Sequence, residues 1–238
     1  MNNKQFQIQI YSDGAEIKKM QESFQTGFVS GFTTNPSLMK AAGIKDYVSF
    51  SKEAVSNFPL LPISFEVFAD DFATMEQEAR KIATFGKNVY VKIPVTNAKG
   101  ESSAPLIKKL SQDGIQLNIT AITTAKQVKE VVEVFQAGTS NIVSVFVGRL
   151  ADSGIDPIQF VKESRQICDT KAGTLLLWAS TREVFNIYEA ERLGCDIITV
   201  PPQIISKLSG IGTTPEEISL NTIQTFQEDI QQLGFRIL

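Results

Sequence analysis

The sequence predicts a single (β/α)8 barrel, and three observations predict it. Strand-length apolar runs alternate with longer segments of helical periodicity; eight such units fill 238 residues; and no glycine-rich phosphate fingerprint argues for an open doubly wound sheet. No Pro/Gly/Ser-rich linker, low-complexity tract or internal repeat divides the chain, so residues 1–238 read as one barrel domain with 215–238 as a C-terminal helical arm. A hydrophobic content of 42% supports a sizeable core, and a net charge of −3 gives no basic excess to attract nucleic acid or anionic lipid. The first residues lack the pattern of a signal peptide and no run reaches the length of a membrane span, so a cytoplasmic protein is expected.

Taken in order, the first strand is expected over residues 6–11 and its helix over 15–25. The second strand, 29–33, precedes helices opening near Pro36, a residue suited to a first helical turn, and Asp46. Strand 63–67 leads to a helix over 71–85, and strand 89–93 to one over 103–112, with Gly86 and Gly114 as stop signals. Strand 116–120 precedes helix 124–136; strand 142–146 precedes helix 157–168; strand 173–178 precedes helix 181–193. The eighth strand, 197–200, is followed by Pro201 and Pro202 opening a short helix. A last helix over 215–233 carries Ile218, Leu220, Ile223, Phe226, Ile230 and Leu233 at helical spacing, ahead of an apolar end at 235–238.

The fourth strand holds one lysine, Lys92, in the run Val-Tyr-Val-Lys-Ile-Pro-Val-Thr. A strand covered on both faces makes an ammonium costly unless it is paired, deprotonated or used, and a desolvated lysine is a candidate nucleophile toward carbonyls. A surface lysine on an edge strand is the plain alternative. In a barrel, however, the C-terminal strand ends converge on one site, and polar residues gather there: Asp13, Asn35, Glu66, Lys92, Asn118 with Thr120, and Ser144 with Phe146 on the same strand face. Each has a structural explanation alone, such as an Asx turn at Asp13 or a turn residue at Asn35 before proline. Jointly they exceed what an apolar barrel interior needs. Arg149, Ser180 and Arg182 fall where barrel loops hold phosphate, with backbone N–H groups near Ser180 as further donors; a salt bridge from Arg149 to Asp152 competes with that reading. Histidine is absent, which removes Ser-His and Cys-His dyads and histidine-bound zinc. Cys168 and Cys195 have no metal or redox spacing and read as reduced structural thiols.

Five runs carry a family resemblance: Gly31-Phe-Thr-Thr-Asn-Pro-Ser-Leu38, Val91-Lys-Ile-Pro-Val-Thr96, Leu117-Asn-Ile-Thr120, Ser144-Val-Phe-Val-Gly-Arg149 and Ala179-Ser-Thr-Arg182. In this order the chain resembles the transaldolase family, and in length its small subfamily, which also contains fructose-6-phosphate aldolases. The resemblance implies a Schiff-base lysine at Lys92 and no metal or organic cofactor. It assigns proton transfer at the leaving aldehyde to Asp13, a catalytic water to Glu66 and Thr120, and the dihydroxyacetone fragment to Asn35, Asn118 and Ser144, with Thr34 beside them. Arg149, Ser180 and Arg182 are implied for phosphate. Glu66 with Phe146 resembles transaldolases, whereas Gln with Tyr resembles the aldolases, so transfer from a ketose phosphate (sedoheptulose 7-phosphate or fructose 6-phosphate) to an aldose phosphate is the leading expectation. A free-standing aldolase and a non-catalytic sugar-phosphate-binding barrel are the alternatives. A homo-oligomer, pentamer or decamer, is implied through the last helix. Two departures stand out: Asp13-Gly14-Ala15 where Asp-Thr-Ala is usual, and Trp178 in place of a small residue, which is expected to narrow the mouth of the site.

Overall fold

In the computed structural model, which describes residues 6–237, eight parallel strands close into a barrel in chain order. They are β1 (Gln9–Asp13), β2 (Val29–Thr33), β3 (Ile63–Glu66), β4 (Val89–Pro94), β5 (Leu117–Ile122), β6 (Asn141–Phe146), β7 (Thr174–Ala179) and β8 (Ile197–Val200). Met1 to Gln5 and Leu238, the last residue of the predicted apolar end, lie outside the described residues. Alternate strand residues fill the interior, where Tyr11, Tyr90, Ile142, Leu177, Ala179 and Ile197 pack together with Phe146 and Leu175. The opposite parity, including Phe65, Val91, Ile93, Ile119, Val143, Leu176 and Ile198, is also fully buried. Burial on both faces is why the strands read as nearly continuous apolar runs rather than as alternating ones.

The helices start where short polar side chains can cap them. They are α1 (Ile17–Gln25), α2 (Pro36–Ala41), α3 (Tyr47–Asn57), α4 (Phe72–Ala83), α5 (Ala104–Gln112) and α6 (Ala125–Val134), then α7 (Val147–Asp152), α8 (Ile158–Cys168), α9 (Phe185–Arg192), α10 (Pro202–Ile205) and α11 (Pro215–Leu233). Asn35, Asp46, Asp71 and Thr124 each accept a hydrogen bond from the backbone N–H three residues on; α2 starts at Pro36 as expected, and the starts expected at Asp46, Asp71 and Thr124 move to the residue after the cap. Thr124 and Gln127 form a full capping box. Gly114 adopts φ +79° and ends its helix in the left-handed conformation, whereas Gly86 is not left-handed and lies against Val55 and Asn88.

Three departures from the sequence reading have local causes. The first strand begins at Gln9 rather than at residue 6, because the N–H groups of Gln7 and Ile8 donate to the Glu191 carboxylate on α9 and the Phe6 ring meets Tyr188 edge-on. The short helix α7 was not expected: it follows β6 without a break, and six residues leave too little periodicity to read. Helix α9 opens at Phe185 rather than at 181 because the Asn186 side chain accepts from the N–H groups of both Arg182 and Glu183.

The chain falls into two compact units, residues 1–206 and 207–238. The second is dominated by α11, which has a capping box from Thr214 and Glu217, Pro215 in its first turn and Gly234 at φ +64° closing it. Its apolar side chains Ile218, Leu220, Ile223, Phe226, Ile230 and Leu233 are all exposed. No helix among the described residues is long and apolar enough to cross a membrane.

Both thiols are free and buried, and burial pushes Cys168 and Cys195 up to about 12. The native protein should therefore show no fast thiol labelling at pH 8, with two equivalents appearing only on denaturation. Gly31 lies under the Tyr11 ring, where a Cβ would come within 2.5 Å of it. With Tyr11 locked in the core, Gly31→Ala should lower unfolding stability by about 1–3 kcal/mol in urea titrations.

Candidate active site

The parallel register of β3, β4 and β5 sets the centre of the site. Glu66 is paired with Lys92, Lys92 with Asn118 and Pro94 with Thr120, so strand hydrogen bonding alone sets carboxylate beside ammonium inside the barrel. Lys92 is buried at 6% exposure; its Nζ lies 3.2 Å from Glu66 Oε2 and donates to the Thr34 carbonyl at 3.0 Å. Those two partners answer the cost of burying the charge. The Tyr47 hydroxyl donates to the Glu66 carbonyl from α3 and steadies the end of β3.

Asp13 ends β1 on the same interior face. Its carboxylate accepts from Thr33 Oγ1 at 2.8 Å, and Thr33 in turn shares a short hydrogen bond with Thr199 on β8. Burial raises the Asp13 carboxyl above the ordinary aspartate range; Lys92 and the Thr33 hydrogen bond pull the other way, and Glu66 adds to the rise. Gly14 continues the ladder, its N–H donating to the Thr33 carbonyl, and a Cβ there would meet only Pro202 at 3.8 Å. The glycine departure therefore leaves Asp13 in a regular strand setting.

Thr120 arrives through a kink. The β5–β6 register shifts between Ile119 and Ile122, Ala121 takes φ +62°, and both Thr120 and Ala121 line the cavity. Thr120 Oγ1 is buried without a protein partner, so it is available to water or ligand. Beneath the lysine, Ser144 Oγ donates to Asn118 Oδ1 at 2.6 Å and Asn118 Nδ2 donates to Ser64 Oγ at 2.9 Å.

Asp13, Thr33, Glu66, Lys92, Thr120 and Ser144 line a cavity of about 450 Å³ together with Asn35, Phe146, Arg149, Ser180, Arg182 and Thr199. Asn35 uses its Oδ1 to cap α2, which leaves its amide nitrogen toward a ligand. Two of the expected substrate-binding residues have their polar atoms engaged by neighbours and do not line the cavity. Asn118 is fully buried with its Oδ1 and Nδ2 each engaged by a serine, and through Ser144 it is linked to the cavity. Thr34 is likewise buried, its hydroxyl donating to the Ser64 carbonyl, and what it offers the site is the carbonyl that holds Lys92. The expectation for Trp178 is corrected: strand alternation gives Leu177 and Ala179 to the cavity and Trp178 to the opposite, buried face, so it does not narrow the mouth.

At the rim, Arg149 lies 5.3 Å over the Phe146 ring and is not the partner of Asp152. Asp152 instead takes Nε and Nη2 of Arg182, while Arg182 Nη1 donates to the Ser180 carbonyl at 2.9 Å. Those hydrogen bonds hold the Asp152 carboxyl below its ordinary range. Ser180 has φ +69° and its carbonyl is pressed onto Gly148, where a Cβ would lie 1.7 Å from it. The expected backbone donors after Ser180 are partly used, since Asn186 accepts from Arg182 and Glu183. Thr33, Ser64, Thr199, Gly148 and Asn186 were not singled out from sequence. Thr33 and Thr199 had a readable signal, a hydroxyl on the inward parity of a short buried strand, but Gly148 and Asn186 act through loop contacts that no spacing encodes.

The structure is a closed eight-stranded parallel barrel with a buried lysine–carboxylate pair in a cavity at the C-terminal strand ends and arginines at its rim, the arrangement of a (β/α)8 enzyme site. The chain belongs to the transaldolase/fructose-6-phosphate aldolase family, whose model matches residues 10–237. A probable transaldolase of Erythrobacter litoralis is 34% identical over 232 residues, 97% of this chain and 100% of that protein. One from Thermoanaerobacter sp. is 33% identical over 231 residues, again 97% and 100%. Among solved structures, a dihydrodipicolinate synthase from Rhodopseudomonas palustris aligns with a TM-score of 0.60 at 12% identity, covering 90% of this chain and 79% of that one. A 2,3-dimethylmalate lyase aligns with a TM-score of 0.56 at 11% identity, covering 98% and 86%. These last two share the fold alone.

The raised Asp13 carboxyl makes a stability prediction. Below about pH 4 folded and unfolded chains both hold the proton, and as pH rises through the elevated folded value the ionised group costs the fold stability. Asp13→Asn should therefore unfold at higher urea concentration than the parent at pH 7, with the difference shrinking as pH falls toward about 4.

Proposed function

We propose that the protein is a transaldolase that moves a dihydroxyacetone unit from a ketose phosphate to an aldose phosphate through an imine on Lys92. The observation that carries this is the Lys92 amine, buried 3.2 Å from Glu66 in a cavity that Asp13 and Phe146 also face. Glu66 accepts the ammonium proton, the free amine adds to the ketone, and loss of water gives the protonated imine. Asp13 then takes the proton from the hydroxyl next to the scissile bond; the carbon–carbon bond breaks, the aldehyde departs, and the bonding electrons move onto the iminium to leave an enamine on Lys92. Attack of that enamine on a second aldehyde, with Asp13 returning the proton, and hydrolysis of the new imine complete the transfer.

Glu66 and Thr120, which both line the cavity, would hold the water for the addition and hydrolysis steps, since the Thr120 hydroxyl has no protein partner. Asn35 and Ser144 orient the three-carbon fragment, Ser144 with its rotamer fixed by Asn118. Arg149, Arg182 and Ser180 take the phosphate, whose binding energy is remote from the reacting carbons. Phe146 favours transfer over free aldol cleavage, because a phenyl ring cannot hold a water poised to protonate the enamine. Lys92 supplies the electron sink, so neither metal nor organic cofactor enters the scheme. The same reading makes the protein a cytoplasmic enzyme of the pentose phosphate pathway, and the exposed apolar face of α11 supports a homo-oligomer.

Borohydride added with fructose 6-phosphate should fix a mass on Lys92 detectable by intact-mass spectrometry, and Lys92→Ala should abolish it. Release of glyceraldehyde 3-phosphate should require erythrose 4-phosphate as acceptor. Equal release without acceptor, with dihydroxyacetone accumulating, would establish the aldolase reading instead.

A further inference from the structure

Arg182 has its donors divided in an unusual way. Of the five N–H groups of a guanidinium, Nε and one on Nη2 go to Asp152 and one on Nη1 goes to the Ser180 carbonyl, which leaves two, one on each terminal nitrogen. The pair with Asp152 is about half exposed, so it adds little to the stability of the fold. Its geometry nonetheless fixes a long, flexible side chain at the cavity rim in one orientation.

The rest of the clamp is equally fixed. Ser180 is in the left-handed region, and its carbonyl meets both Arg182 Nη1 and the bare Cα of Gly148 on α7. Gly148 and Asp152 lie on the same short helix, which lets α7 come close enough for Asp152 to reach Arg182. Arg149, also on α7, lies over Phe146 and has no carboxylate within salt-bridge distance among the described residues, so of the two guanidiniums Arg182 is restrained by a carboxylate and Arg149 rests on a ring.

We infer that Asp152 is a positioning residue for phosphate recognition: by occupying the Nε side of Arg182 it directs the two remaining donors at the substrate phosphate. The inference rests on the phosphate-binding reading of the rim given above. Although Asp152 is itself an anion near the phosphate, its charge is matched by Arg182, and the ordering it imposes lowers the entropy lost when phosphate binds.

The test pairs two measurements on the full chain and on Asp152→Asn, a substitution that keeps the side-chain volume. In the first, calorimetry with inorganic phosphate should show about tenfold weaker binding to the variant. In the second, borohydride trapping on Lys92 is followed against ligand concentration. The half-saturating concentration of fructose 6-phosphate should rise about tenfold, while that of dihydroxyacetone, which has no phosphate, should move less than about twofold. Asp152→Glu should recover part of the loss, and Asp152→Asn should add little to Arg182→Ala. Unchanged or tighter phosphate binding by Asp152→Asn would overturn the inference and make Asp152 a mere competitor for Arg182. An equal loss for both trapped ligands would overturn it in favour of a general structural role. Absence of trapping in the parent protein, with phosphate binding still dependent on Asp152, would instead defeat the imine mechanism and leave the positioning role standing.

Discussion

The contact between Lys92 and Glu66 is the constraint on which the site depends. A barrel interior is a poor solvent for charge, and an isolated ammonium there would lose its proton or disrupt the packing. The register of β3 against β4 makes the two residues ladder neighbours, so the pair is assembled by the same backbone hydrogen bonds that close the sheet. Thr34 supplies a third point through its carbonyl. The Lys92 amine is thus positioned by the barrel rather than by a loop, which suits the imine chemistry proposed for it.

Around that pair the molecule separates rigid chemistry from adjustable recognition. Asp13, Glu66, Lys92, Thr120 and Ser144 project from strands; Thr33, itself bonded to Thr199, holds Asp13, Asn118, itself bonded to Ser64, holds Ser144, and Lys92 and Glu66 hold each other. Arg149 and Arg182, proposed to take the phosphate, come from segments after β6 and β7, where a short helix and a left-handed serine come into contact. Strand ends hold the atoms that react, and loops hold those that recognise.

Most of the barrel was legible because burial on both strand faces produces strong apolar runs, and because caps such as Asp46, Asp71 and Thr124 mark the helix starts. The spans of β2, β8 and α11 agree with the sequence reading to the residue. The start of β1 was hidden because it is set by Glu191, a residue distant in sequence. Within the site, residue type was legible and engagement was not. Asn118 and Thr34 have the chemistry of ligand-binding groups, yet their polar atoms are taken up by neighbours that only the register brings near. Trp178 shows the complementary error: its bulk was noticed, but the side of the strand it faces decides whether that bulk matters.

The belt running from Ser64 through Asn118 to Ser144 has one more implication. Its residues are buried, and one inward position nearer the N-terminal strand ends than Asp13, Lys92, Ser144 and Thr199, the side chains of Tyr11, Tyr90, Ile142 and Ile197 fill the barrel. The packed core therefore closes the floor of the cavity, and on the function proposed above substrate and water would share the passage past the rim that Arg149 and Arg182 line.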